Sequence, residues 1–185
     1  MKNMKWLNEP KKWEYSDGKI LIETKDKSDF WRNTYYGYIH DDGHFMYQTV
    51  KGDFSAIATF RGEYRNLYDQ AGIMLRVGDV SWIKAGIEFA DNRLNISTVV
   101  TRDYSDWSVI AIDNESTDST IRITRYESAI VVHYLDKNKR WQLLRLTYLD
   151  MPESCDIGLY CCSPVHPGLR VVFHKLTLTD PVPKE

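Results

Sequence analysis

Gln70-Ala71-Gly72-Ile73-Met74-Leu75-Arg76-Val77, then Ser81-Trp82-Ile83-Lys84-Ala85-Gly86-Ile87-Glu88-Phe89-Ala90, then Asp91-Asn92 and Arg93-Leu94-Asn95-Ile96-Ser97-Thr98-Val99-Val100-Thr101-Arg102 decide the fold. Apolar residues recur at every second position, the period of a strand with one buried face. In residues 71–77, Ala71, Ile73, Leu75 and Val77 face one way, and Gly72, Met74 and Arg76 the other. In residues 81–90, Ile83, Ala85, Ile87 and Phe89 oppose Trp82, Lys84, Gly86 and Glu88. Asp91-Asn92 suits a two-residue hairpin loop, because both residues tolerate positive φ. That loop pairs Ala90 with Arg93, Glu88 with Asn95, Gly86 with Ser97, Lys84 with Val99 and Trp82 with Thr101. A loop over residues 77–81 pairs Arg76 with Trp82, Met74 with Lys84, Gly72 with Gly86 and Gln70 with Glu88. Three neighbouring strands then share one apolar face and one polar face. The polar face has Gly72 and Gly86 at its centre, a bare floor of the kind that admits close approach of a ligand or another segment.

Outward from this unit, alternating runs at residues 19–24, 44–50, 53–60, 107–112, 119–127, 129–135, 141–149, 155–162 and 169–179 read as further strands. They are separated by turn residues such as Asp17-Gly18, Asp41-Asp42-Gly43, Lys51-Gly52-Asp53, Asp136-Lys137-Asn138 and Ser163-Pro164. Twelve strands with hairpin-length connections and no helical period make an all-β, two-sheet antiparallel sandwich. A length of 185 residues fits one such domain over residues 1–180, with a Pro-rich tail at 181–185 expected to fray.

The formal net charge of -2, with both signs interspersed, argues against a nucleic-acid or anionic-membrane partner held by bulk charge. No apolar run approaches the roughly 20 residues of a membrane helix, and the first ten residues lack the apolar stretch of a signal peptide. Cys155, Cys161 and Cys162 have no metal-ligand spacing. Adjacent Cys161 and Cys162 point to opposite faces of a strand, so both read as free thiols of a cytoplasmic protein. No cofactor or metal motif is present, although Asp41, Asp42 and Asp53 leave a structural calcium open.

Six Trp, twelve Tyr and six Phe are the compositional signal. Many fall in three segments that frame the polar face: residues 29–44, with Trp31, Arg32 and His44; residues 64–70, with Tyr68 and Gln70; and residues 101–107, with Thr101 and Trp107. Aromatic faces stack on the C–H patches of a sugar ring, while carboxylates and amides bond its hydroxyls. The expected ligand-binding set is therefore Trp31, Arg32, His44, Tyr68, Gln70, Arg76, Trp82, Lys84, Glu88, Thr101 and Trp107. Glycoside hydrolysis on this face needs two carboxylates roughly 5–9 Å apart. Glu88 is the mid-sheet acid, with Asp69 or Asp106 as partner. Lys84, two positions along the same face, makes Glu88 an expected ionised ion-pair partner.

Tyr68-Asp69-Gln70-Ala71-Gly72-Ile73-Met74-Leu75-Arg76, Trp82-Ile83-Lys84-Ala85-Gly86-Ile87-Glu88 and Ser105-Asp106-Trp107-Ser108 carry a resemblance. So do Asp29-Phe30-Trp31-Arg32, Gly43-His44-Phe45, Gly52-Asp53-Phe54 and the stretch from His133-Tyr134-Leu135-Asp136 to Trp141-Gln142-Leu143-Leu144-Arg145. Together they resemble the family named after the yeast regulation-of-enolase protein, over about residues 6–178. The resemblance implies a concanavalin A-like lectin/glucanase jelly roll. It implies little about activity, and two other functions stand beside a lectin-like carbohydrate or metabolite binder: a protein-interaction module regulating a glycolytic enzyme, and a glycoside-active hydrolase using Glu88.

Overall fold

A computed structural model describes residues 1, 4–112 and 118–184. Among them are sixteen strands and no helix. In chain order these are β1 (Lys5–Leu7), β2 (Lys12–Ser16), β3 (Lys19–Glu23), β4 (Phe30–Arg32), β5 (Ile39–Asp41), β6 (His44–Lys51), β7 (Phe54–Gly62) and β8 (Gln70–Arg76). They continue with β9 (Ser81–Ala90), β10 (Arg93–Arg102), β11 (Tyr104–Ala111), β12 (Ser119–Tyr126), β13 (Ala129–Leu135), β14 (Trp141–Tyr148), β15 (Ser154–Cys162) and β16 (Arg170–Thr179). Two seven-stranded antiparallel sheets run β1-β6-β15-β8-β9-β10-β11 and β14-β13-β12-β7-β16-β3-β2, and β4-β5 forms a separate hairpin.

All twelve expected strands form, within a few residues at their ends. The register read from the central stretch is the observed one at every pair, from Gln70 opposite Glu88 to Trp82 opposite Thr101. Its pivot is the Asp91-Asn92 loop, where both residues take positive φ, 53° and 57°, as a type I′ turn requires. The short strands β1, β2, β4 and β5 are additions to the expected twelve.

Between the sheets lies the main core, in which Ile73, Leu75, Ile83, Ile87 and Leu159 of the first sheet meet Ala58, Phe60, Ile121, Ile123 and Phe173 of the second. Each fully buried side chain of this size contributes about 1.5–3 kcal/mol. Cys161 belongs to this core, whereas Cys162 faces the opposite way, and both are free.

The polar face of the first sheet is covered by another segment of the chain, an approach its bare floor admits. It is not open. Residues 29–42, carrying the β4–β5 hairpin, fold across it and create a second buried cluster of Phe30, Trp31, Phe45, Met74, Trp82, Val99, Tyr160 and Cys162. The glycine floor is filled from within: Tyr160 on β15 is the register partner of Gly72, and its hydroxyl lies 2.8 Å from where a Gly86 Cβ would stand. The tail is also held. The Val182 N–H donates to Ser55 Oγ, the Tyr126 hydroxyl donates to the Val182 carbonyl, and Lys184 lies over the Tyr126 ring. Glu185 lies outside the described residues.

Candidate functional site

Two ion pairs seat the hairpin. At its entry, Asp29 accepts from the Lys84 ammonium at 3.0 Å, and Lys84 also donates to the Phe30 carbonyl at 2.7 Å. At its exit, Asp41 takes a bidentate contact from Arg76, at 2.6 and 2.8 Å. Arg76 on β8 and Lys84 on β9 share the polar face as diagonal neighbours across the strand pair, so register together with alternation sets the spacing of the two anchors. Their charge is buried and needs acidic partners, which the segment flanking the aromatic run supplies.

Beyond the Lys84 anchor the hairpin leaves a small cleft lined by Asp29, Trp31, Tyr36, Tyr38, Tyr68, Gln70, Lys84, Glu88, Val99 and Trp107. Glu88 forms part of its wall. Its carboxylate accepts from the Trp107 indole N–H at 3.0 Å, and that N–H also reaches Ser97 Oγ at 3.1 Å. Burial pushes the Glu88 carboxyl above its usual range, and Asp29 adds to the shift; Lys84 and the hydrogen bonds oppose it without cancelling it. The expected Lys84–Glu88 ion pair is thus replaced by Lys84–Asp29, leaving Glu88 as the second acid beside one cation. Gln70 completes the wall, donating weakly to Asp29 at 3.4 Å and to the Tyr68 carbonyl at 3.2 Å.

Aromatic rings form the mouth. Tyr36 and Tyr38 stack at 5.5 Å, Trp31 meets Tyr36 edge-on at 5.7 Å, and Tyr68 meets Trp107 edge-on at 6.1 Å. A hydroxyl–hydroxyl bond of 2.9 Å between Tyr36 and Tyr68 closes the gap between hairpin and sheet. This bond, and then burial, raises the Tyr68 phenol well above its ordinary value. The free space in the cleft, about 20 Å³, has room for a water molecule and little more.

Six of the eleven expected binding residues line this cleft: Trp31, Tyr68, Gln70, Lys84, Glu88 and Trp107. The structure puts the other five elsewhere. Arg76 is spent on Asp41. Trp82 is fully buried beneath Phe30, their rings 6.2 Å apart. Thr101 bonds Ser105. Arg32 braces the hairpin against the Asp103 carbonyl. His44 is the register partner of Cys161, off the polar face. Its Nδ1–H donates to the Asn8 carbonyl, its Nε2 accepts the Lys25 N–H, and burial lowers its pKa.

Neither carboxylate considered as a hydrolytic partner joins Glu88. Asp69 precedes Gln70, so it points away from the face that Gln70 and Glu88 share, and it accepts from Arg65, Asn66 and Ser163. Asp106 is the register partner of core-facing Val100 and binds Arg145 at 3.0 Å. Among the described residues no cluster of three or more His, Cys, Asp or Glu could hold a metal, and no helix could cross a membrane. Asp29, Tyr36 and Tyr38 are cleft residues that sequence reasoning left out. The signal was available: two cations on a face that loses its water require acids, and Asp29 and Asp41 bracket the aromatic run.

Two seven-stranded antiparallel sheets packed face to face form a jelly roll of the concanavalin A-like class. Solved structures show the same fold at low identity. A family 43 glycoside hydrolase from Bacillus licheniformis, BlXynB, aligns with TM-score 0.71 at 12% identity, over 93% of this chain and 35% of that one. An alginate lyase from Klebsiella pneumoniae aligns with TM-score 0.62 at 10% identity, over 91% of this chain and 84% of that one. The chain belongs to the family described as "Protein of unknown function (DUF1349)", whose profile matches residues 6–181. It is 38% identical over 179 residues to "Regulation of enolase protein 1" of Saccharomyces cerevisiae, covering 97% of this chain and 90% of the relative. A crystal structure of a functionally unknown protein from the same yeast superposes with TM-score 0.94 at 37% identity, over 98% of both chains.

Proposed function

We propose that the chain is a non-catalytic, cytoplasmic binding module whose ligand is a small polyhydroxylated molecule, a carbohydrate or sugar-derived metabolite, held in the cleft beneath the β4–β5 hairpin. The observation that carries this reading is the lining. Glu88, Asp29, Lys84 and Gln70 offer acceptors and donors at the bottom, and Trp31, Tyr36, Tyr38, Tyr68 and Trp107 offer ring faces at the mouth. Small-molecule sites combine apolar walls with a few converging polar groups in this way, in pockets of roughly 300–1,000 Å³. The closed cleft is far smaller, so ligand entry requires the Tyr36–Tyr68 bond to part and the hairpin tip to lift. A thermal-shift and calorimetric screen of neutral monosaccharides, sugar acids and sugar phosphates tests the proposal. The expected result is a hit that Trp107→Ala and Lys84→Met both weaken. A screen without hits on Tyr36→Phe/Tyr68→Phe protein, in which the mouth is unlatched, sinks it.

A second reading rests on the hairpin rim and on the name of the yeast relative. Tyr35 is 94% exposed, and Ile39, Leu67 and Tyr104 are exposed beside the mouth. Such a rim fits a protein partner, and a glycolytic enzyme is the partner that the relative's name suggests. Pull-down of purified enolase by this chain, lost in Tyr35→Ser/Tyr104→Ser, is its expected signature; equal recovery by wild type and variant removes it.

A further inference from the structure

The two large sheets end on four edge strands. β1 has three residues, β2 carries Lys12 and Glu14, and β11 carries Asp106, whose side chain stays 54% exposed. Short length and charge keep edges from pairing with other chains. β14, Trp141-Gln142-Leu143-Leu144-Arg145-Leu146-Thr147-Tyr148, has neither protection. Its single charge, Arg145, is turned inward onto Asp106 at 3.0 Å and Ser108 at 3.1 Å. Leu143, Leu146 and Tyr148 are 61%, 63% and 55% exposed.

Register explains why these side chains line up. Val132 and Ile130 of β13 are core residues, so their neighbours on the strand face outward. Outward-facing Leu135, His133, Val131 and Ala129 pair with Trp141, Leu143, Leu146 and Tyr148. Leu144 is an extra residue at a bulge, and it shifts the alternation so that 141, 143, 146 and 148 share one face.

We propose that β14 is a homodimer interface, formed by antiparallel pairing with β14 of a second copy about a two-fold axis between Leu144 and Arg145. In this register Trp141 faces Tyr148 of the second copy and Leu143 faces its Leu146, so the apolar row matches itself. The strand ends match too. Exposed Lys139, in the turn before β14, meets exposed Asp150 just after β14 of the second copy, and symmetry makes that contact twice. A slip of two residues one way sets Lys139 against Pro152 and Asp150 against Trp141, with no charge pair; the other way sets Lys139 against Tyr148 and leaves Lys137 to meet Asp150. This self-complementarity in both apolar and charged positions selects a second copy over an unrelated strand. The pairing joins two seven-stranded sheets edge to edge and satisfies the free backbone groups of β14.

Sedimentation equilibrium on the full chain, from micromolar to near-millimolar concentration, is expected to show a monomer–dimer equilibrium. Leu143→Lys/Leu146→Lys abolishes the dimer over that range while keeping a wild-type melting profile. Lys139→Glu weakens association by roughly five- to tenfold through two repelling pairs, and Lys139→Glu/Asp150→Lys restores it. Lys139 sits in an exposed turn, so the charge swap remains decisive if the double lysine variant does not fold. A monomer at all concentrations, a dimer indifferent to the lysine substitutions, a charge swap that fails to restore, or a wild-type monomer that pairs only with a foreign strand each overturns the proposal.

Discussion

Glu88 is the residue at which burial, charge and hydrogen bonding pull in different directions. With Asp29 and Lys84 ionised, an ionised Glu88 leaves the cleft with one uncompensated negative charge, and burial opposes it. In the unfolded chain the carboxyl titrates at its ordinary value. Between that value and the raised folded one, the folded protein holds a proton the unfolded chain has lost. The contribution of Glu88 to stability is therefore fully present in acid and is lost as pH rises through the folded pKa. Glu88→Gln keeps an acceptor for the Trp107 indole and removes the titration. Its melting temperature should exceed wild type at pH 8 by about 2–4 °C, the shift that ~1 kcal/mol gives in a domain of this size. The difference should vanish near pH 4 in paired thermal scans. Gly86 makes the opposite kind of demand. A Cβ there would stand 2.0 Å from the Ala71 carbonyl oxygen, a backbone atom with nowhere to go, and 2.8 Å from the Tyr160 hydroxyl. Gly86→Ala should cost at least ~3 kcal/mol in urea unfolding, at the severe end of single substitutions, whereas Gly78→Ala, with open space around it, should stay within about 1 kcal/mol.

At the scale of elements, β8, β9 and β10 were legible and the hairpin above them was not, for a physical reason. Each long strand repeats its alternation over seven to ten residues, and Asp91-Asn92 locks the register. β4 and β5 have three residues each, and their faces are set by contact with the sheet. Local periodicity carries nothing of that contact. Met74, Trp82 and the two glycines set the polar face apart from the solvated face usual in antiparallel sheets; what they could not show is that a segment of the chain itself covers most of it. The hairpin's grip on the sheet is testable at Lys84, 2% exposed. Lys84→Met leaves Asp29 buried without a cation and should cost about 3–5 kcal/mol, the usual penalty for breaking a buried pair from one side. Adding Asp29→Asn should recover part of that loss, since the two residues share one interaction and their effects cannot add. Denaturant titrations of the two single variants and the double variant measure the coupling, and additive losses would mean that the pair does not seat the hairpin.

Taken as a whole, the molecule has two cores on either side of one sheet, and adjacent residues of β15 sample both. Cys161 packs between the sheets and Cys162 packs under the hairpin, in one cluster with Phe30 and so close to Gly43 that a Cβ there would meet its sulfur at 2.6 Å. Both thiols are fully buried, and burial pushes both pKa values up. Labelling of either therefore reports an opening event, and the two events differ. Reaching Cys162 requires only that the hairpin lift, which breaks the two anchoring ion pairs and the Tyr36–Tyr68 bond. Reaching Cys161 requires the sheets to separate, which exposes the whole main core. Local openings of this kind lie below the global unfolding free energy. Two variants isolate the probes: Cys155→Ser/Cys161→Ala keeps Cys162, and Cys155→Ser/Cys162→Ala keeps Cys161. In native buffer a thiol reagent should label Cys162 at least tenfold faster than Cys161, with Cys161 following the global unfolding equilibrium in a urea series. Tyr36→Phe should speed Cys162 and leave Cys161 unchanged. Equal rates at the two positions would mean that the hairpin and the sandwich open as one unit.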